Sequence, residues 1–136
     1  MANILIVDDD LDIIDSLKII LEANGHQVLM KTDTDDLVEI VMKTHPDLII
    51  LDIIFPENSQ AGFTAARSLH KVDRIRDIPI LFLSAVNQLS KMSFGFSEDD
   101  ISEDFMPVKG FLEKPVEPAL LIAKVDELLG MRDSAR

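Results

Sequence analysis

The chain predicts an α/β domain in which a parallel β-sheet lies between two layers of helix. Three observations carry this. Short apolar runs alternate with segments of helical spacing five times along the chain. The runs lack in–out alternation, as expected of strands covered on both faces. Asp8, Asp52, Ser84 and Lys114 stand just past the ends of four of the five runs.

In order, Asn3-Ile-Leu-Ile-Val7 reads as a buried strand that stops at Asp8-Asp9-Asp10. Leu11 to Ala23 places apolar residues at 11, 13, 14, 17, 20 and 21, one face of a helix. Asp10 precedes it as an N-cap, and Asn24-Gly25 suits a left-handed stop. Gln27 to Met30 is a weaker second strand, and Thr34 to Lys43 a second helix through Leu37, Ile40 and Val41. Pro46-Asp47 opens the strongest strand, Leu48-Ile-Ile-Leu51, which stops at Asp52. Gly62 to His70 gives a third helix with Phe63, Ala66 and Leu69 inward. Pro79 to Leu83 is a fourth strand ending at Ser84-Ala85. Residues 86 to about 107 read as a fourth helix plus a loop. Lys109 to Leu112 is a fifth strand before Glu113-Lys114-Pro115, and Pro118 to Leu129 the last helix. The expected organisation is one domain over residues 1–130 and a frayed C-terminal tail over 131–136.

The composition narrows the function. With 136 residues there is room for one core, and the absence of cysteine excludes disulfides and thiolate metal sites. Thirteen basic residues against twenty-five acidic ones, a net charge of −12, argue against nucleic acid as a direct partner. No apolar run approaches the roughly 20 residues that span a bilayer. The start lacks a basic segment followed by a long apolar stretch. A cytoplasmic protein, with no membrane partner, fits these features.

In an open parallel sheet all carboxyl ends share one edge, where ligands bind. Asp8, Asp9 and Asp52 brought together there need a counter-charge, because close carboxylates raise one another's proton affinity. A hard divalent cation supplies it. Mg²⁺ fits best, since it keeps waters and uses one or two carboxylates plus phosphate oxygens. One carboxylate then remains as a nucleophile toward phosphorus, with Lys114 and Ser84 to neutralise and donate to the phosphoryl oxygens. Each residue alone has an ordinary reading as a cap, turn or solvated side chain. Their joint placement after four strands does not.

The motifs Ile4-Leu-Ile-Val-Asp-Asp-Asp10, Pro46-Asp-Leu-Ile-Ile-Leu-Asp52 with Pro56, Gly62, Leu83-Ser-Ala85 and Leu112-Glu-Lys-Pro115 resemble the receiver domains of two-component response regulators over nearly the whole chain. The resemblance implies a flavodoxin-like three-layer sandwich: a five-stranded parallel sheet of order 2-1-3-4-5 flanked by five helices. It implies that Asp8, Asp9, Asp52 and the carbonyl of Ile54 hold Mg²⁺. Asp52 is the implied acceptor of a phosphoryl group from a histidine kinase or histidine phosphotransfer protein, and Ser84 and Lys114 bind its oxygens. A cis Lys114-Pro115 peptide is implied too. So is a switch in which Phe111 fills space behind a moving Ser84 and alters the face of the fourth helix, fifth strand and last helix. That face is where a homodimer could form. With no output domain in view, a stand-alone receiver acts through a downstream protein whose identity the sequence leaves open.

Three departures stand out. Five residues separate Pro56 from Gly62, and twenty-nine separate Ser84 from Lys114, both longer than usual for the family. Ile54 and Val86, two residues past Asp52 and Ser84, are apolar and cannot orient a water, which predicts slow loss of the phosphoryl group. Two alternatives remain. One is a degenerate receiver acting as a constitutive protein-binding module. The other is a phosphatase of the haloacid dehalogenase type, with Asp8 as nucleophile and Asp10 as general acid, which leaves Asp52 without a role.

Overall fold

A computed structural model describes residues 2–52, 61–85, 110–114 and 116–134, with the backbone alone for 61–63, 84, 85, 111, 113, 114 and 131–134. The elements are β1 (Asn3–Val7), α1 (Leu11–Ala23), β2 (Gln27–Lys31), α2 (Leu37–Thr44), β3 (Leu48–Asp52), α3 (Ala61–His70), β4 (Ile80–Ala85), β5 (Gly110–Lys114) and α4 (Pro118–Ser134). All strand pairs are parallel, in the order β2-β1-β3-β4-β5. This is the predicted sheet. The fourth helix expected within 86–107 lies outside the described residues.

The three layers follow from the pleat, which sends successive side chains to opposite faces. Leu5, Val7, Ile49, Leu51, Ile80 and Phe82 pack on one side against Leu37 and Val41 of α2 and Ala65, Ala66 and Leu69 of α3. Ile4, Ile6, Leu48, Ile50, Leu81 and Leu83 pack on the other against Ile14, Leu17 and Leu21 of α1 and Leu121, Val125 and Leu128 of α4. Every residue of β3 is buried, so this strand is the centre of both cores.

The ends of α1 are set locally. Asp10 caps it, its Oδ1 accepting from Asp12 N–H at 2.9 Å and Ile13 N–H at 3.4 Å. At the far end Gly25 takes φ 88, where a side chain is disfavoured. Its N–H donates to the Glu22 carbonyl, and His26 N–H to the Leu21 carbonyl, closing the helix.

Two helices differ from expectation. α2 begins at Leu37 rather than Thr34, because Asp36 is left-handed at φ 55 and cannot continue a helix backwards. Before it, one carboxylate oxygen of Asp33 accepts from Lys31 Nζ at 2.6 Å and from Asp35 N–H at 3.0 Å. These two hydrogen bonds, that of Lys31 the stronger influence, hold the Asp33 carboxyl below the usual carboxylate range. The last helix does not stop at Leu129. It passes through Gly130 to Ser134, so most of the segment expected as a frayed 131–136 tail is helical. No proline interrupts it, and glycine only weakens a helix. The strands β4 and β5 also run further than expected, to Ala85 and Lys114, because they pair with each other there.

Two stability predictions follow for thermal or denaturant unfolding. Asp10→Ala should lower stability by about 1 kcal/mol through the lost cap. Gly130→Ala should raise it by about 0.5–1 kcal/mol, since nothing lies within 4 Å of the added methyl group.

Candidate functional site

The site forms where β1 and β3, central neighbours in the sheet, end side by side. Their register pairs Val7 with Leu51, so the next residue on each strand is an aspartate at the same height. Asp8 is fully buried and Asp52 is 3% exposed. Asp9, one step further along the turn, is exposed. One carboxylate oxygen from each of Asp8, Asp9 and Asp52 lies within 4.8 Å of the others. The three acids thus lie together at the carboxyl edge of the sheet.

The main chain fixes the orientation of Asp8. Its N–H donates to the Lys31 carbonyl at 3.0 Å, continuing the ladder to β2 one residue past the strand. Its Oδ1 accepts from Asp10 N–H at 2.9 Å, a short turn in which a side chain mimics a backbone acceptor. Sequence reasoning gave the Asp10 side chain to the helix cap, or to a general acid in the phosphatase alternative, and gave its amide no role. The spacing Asp8-x-Asp10 was the available signal that Asp10 also serves through its amide. Lys31, tied to Asp33 at 2.6 Å, was likewise not singled out.

Ser84 and Lys114 are placed by their backbones. Asp52 is in register with Leu83, so Ser84 follows immediately on the adjacent strand, at the edge that carries the acids. Lys114, the last residue of β5, is in register with Ala85. Phe111 stands beside Phe82 in β5. Ile54, Pro56, Val86 and the Lys114-Pro115 peptide lie outside the described residues.

The donor set suits a hard cation. It is made of carboxylate oxygens, with no nitrogen or sulfur, and two of its three acids are buried. Mg²⁺ and Ca²⁺ both favour oxygen, but few protein ligands beside an open edge match Mg²⁺ better. Among the described residues no helix is long and apolar enough to cross a membrane.

Comparison with known proteins bears on this geometry. A profile of the response regulator receiver domain matches residues 4–126. The DNA-binding dual master transcriptional regulator RpaA of Synechocystis is 35% identical over 98% of this chain, which corresponds to 51% of that protein. Protein PilH of Pseudomonas aeruginosa is 30% identical over 95% of this chain and 98% of its own length. The chain therefore spans about half of the first relative and nearly all of the second. A crystallised signal receiver domain of a signal transduction histidine kinase from Syntrophus aciditrophicus superposes with a TM-score of 0.74 at 28% identity, over 96% of this chain and 91% of that one. With the motifs, the sheet order and the three converging aspartates, these matches identify the chain as a member of the response regulator receiver domain family of two-component signalling.

Proposed function

We propose that this receiver takes a phosphoryl group onto Asp52 in a Mg²⁺-dependent reaction, from a histidine kinase or histidine phosphotransfer protein. The observation that carries the reading is the approach of Asp8, Asp9 and Asp52 to within 4.8 Å at the carboxyl edge of the sheet. Asp8 and Asp9, with the Ile54 carbonyl, would hold the ion. Bound there, Mg²⁺ would neutralise the acids and the phosphoryl oxygens.

Asp52 is the acid best suited to attack. It is the last residue of a strand buried along its whole length, whereas Asp8 and Asp9 lie beyond the end of β1. One Asp52 oxygen forms a bond to phosphorus as the bond from phosphorus to the donor's leaving atom breaks. The leaving group carries off the electron pair, and the product is an acyl phosphate. Lys114 would pair with the phosphoryl oxygens and Ser84 donate a hydrogen bond to them. Movement of Ser84, with Phe111 behind it, would pass the change to the β4–β5 side of the sheet and thence to a downstream protein.

The phosphatase reading needs Asp10 as a general acid. Its carboxylate instead accepts from the first-turn N–H groups of α1, and it suits that role poorly. Ile54 and Val86 bear on lifetime, since neither side chain offers an atom to orient a water.

Three outcomes test this reading. Intact mass after incubation with acetyl phosphate should show one added phosphoryl group on wild type with Mg²⁺, and none without the ion or on Asp52→Ala. Uptake by Asp52→Ala equal to that of wild type would transfer the role to another acid. Without metal, Asp52→Asn should raise stability by about 1–2 kcal/mol, below the roughly 3–4 kcal/mol of two unit charges this close at an effective dielectric of about 20. Saturating Mg²⁺ should reverse that difference, which thermal melts can follow. Finally, Ile54→Asn with Val86→Glu should shorten the phosphorylated half-life about tenfold, a modest part of the 10²–10⁴ that positioned proton acceptors contribute.

A further inference from the structure

Asp10 is bonded in two directions at once. Toward the acids, its N–H donates to Asp8 Oδ1 at 2.9 Å. Toward α1, its own Oδ1 accepts from Asp12 N–H at 2.9 Å and Ile13 N–H at 3.4 Å. Its carbonyl accepts from Ile14 N–H at 3.1 Å. The backbone is extended there, at φ −96 and ψ 107, as an N-cap requires. Ile14 is in turn fully buried in the core beneath α1. A chain of contacts therefore runs from the core, through the first turn of the helix, to the amide that holds Asp8.

Asp8 has need of that hold. It follows β1 rather than lying within it, and its buried carboxylate sits within 4.8 Å of oxygens from Asp9 and Asp52. Like charges at this range repel, and a carboxylate free to rotate would turn away from its neighbours. With one oxygen anchored by the Asp10 N–H, the other is presented in a set direction.

We propose that Asp10 is a positioning residue for the metal site. By capping α1 with its side chain, it keeps its own amide where Asp8 is held ready for Mg²⁺. This rests on the reading that Asp8 and Asp9 bind the ion, and it makes the first turn of α1 part of that site. Outer groups that orient a metal's ligands are worth roughly tenfold or more in affinity. The coupling is reciprocal: if the cap prepares Asp8 for the ion, the ion steadies the cap.

Two other effects of Asp10 are separable from this one. Its charge attracts a cation whatever the geometry, and its cap stabilises the fold whatever the ion. Asp10→Asn removes the charge and keeps a capping oxygen, because Asn caps as well as Asp. Asp10→Ala removes both. Loss of charge is common to the two variants, so the difference between them reports the cap. Asp10 is exposed, and neither substitution opens a cavity.

Calorimetric titration of the full chain with Mg²⁺ tests this, the chain having no Trp or Tyr to report the ion by fluorescence. Asp10→Ala should bind Mg²⁺ about tenfold more weakly than Asp10→Asn, with circular dichroism reporting the retained fold. A second measurement needs no variant. In wild type, saturating Mg²⁺ should slow hydrogen exchange by a similar factor at the Asp12 and Ile13 amides, whose acceptor is the Asp10 carboxylate. Equal affinities of the two variants, or exchange at those amides unmoved by the ion, would overturn the proposal and leave the metal site standing. A wild type that takes up no Mg²⁺ would remove the site and its positioning residue together.

Discussion

Close approach of like charges is the constraint on which the rest of this molecule turns. Three carboxylates occupy a space of 4.8 Å, two of them buried, and folding has to bring them there. The parallel sheet makes this unavoidable. With β1 and β3 adjacent and in register, the aspartate that follows β1 and the one that ends β3 arrive at one edge. The dual-core packing of β3 provides the apolar stability against which that repulsion is held. A site built this way is poised for a cation and, with the cation, for an anion. That is the electrostatic logic of phosphoryl transfer.

Sequence reasoning reached this arrangement because its elements are local and its pattern coarse. Buried strands read as unbroken apolar runs, and the residues after them stand out by chemistry. Asp10 could be assigned to the α1 cap from its position alone, and Gly25 to the stop. The failures are as instructive. The start of α2 depends on a left-handed Asp36 and on Asp33 accepting two hydrogen bonds from residues close in sequence, a conformation that apolar spacing does not register. The extensions of β4 and β5 come from mutual pairing across a long gap in sequence. The amide of Asp10 contributes to Asp8 whatever its side chain, and main-chain donors leave little trace in residue type. Continuation of α4 through Gly130 shows that glycine alone is a weak stop when no proline follows.

The relatives place the domain in two settings, as part of a chain about twice as long and as nearly a whole chain. The polar end of the sheet and its sides bear on these settings differently. The carboxyl edge concentrates acidic charge at Asp8, Asp9 and Asp52. At the side of the sheet, the outer strand β2 carries exposed Leu29 and Met30.

The central claim is that Asp52, and neither of the acids beside it, bears the phosphoryl group. Borohydride reduces an aspartyl phosphate to homoserine and leaves free carboxylates intact, so peptide mapping of the phosphorylated, reduced chain reads the acceptor directly. The account predicts conversion at Asp52 alone, dependent on Mg²⁺. Conversion at Asp8 or Asp9, with Asp52 recovered unchanged, would contradict it.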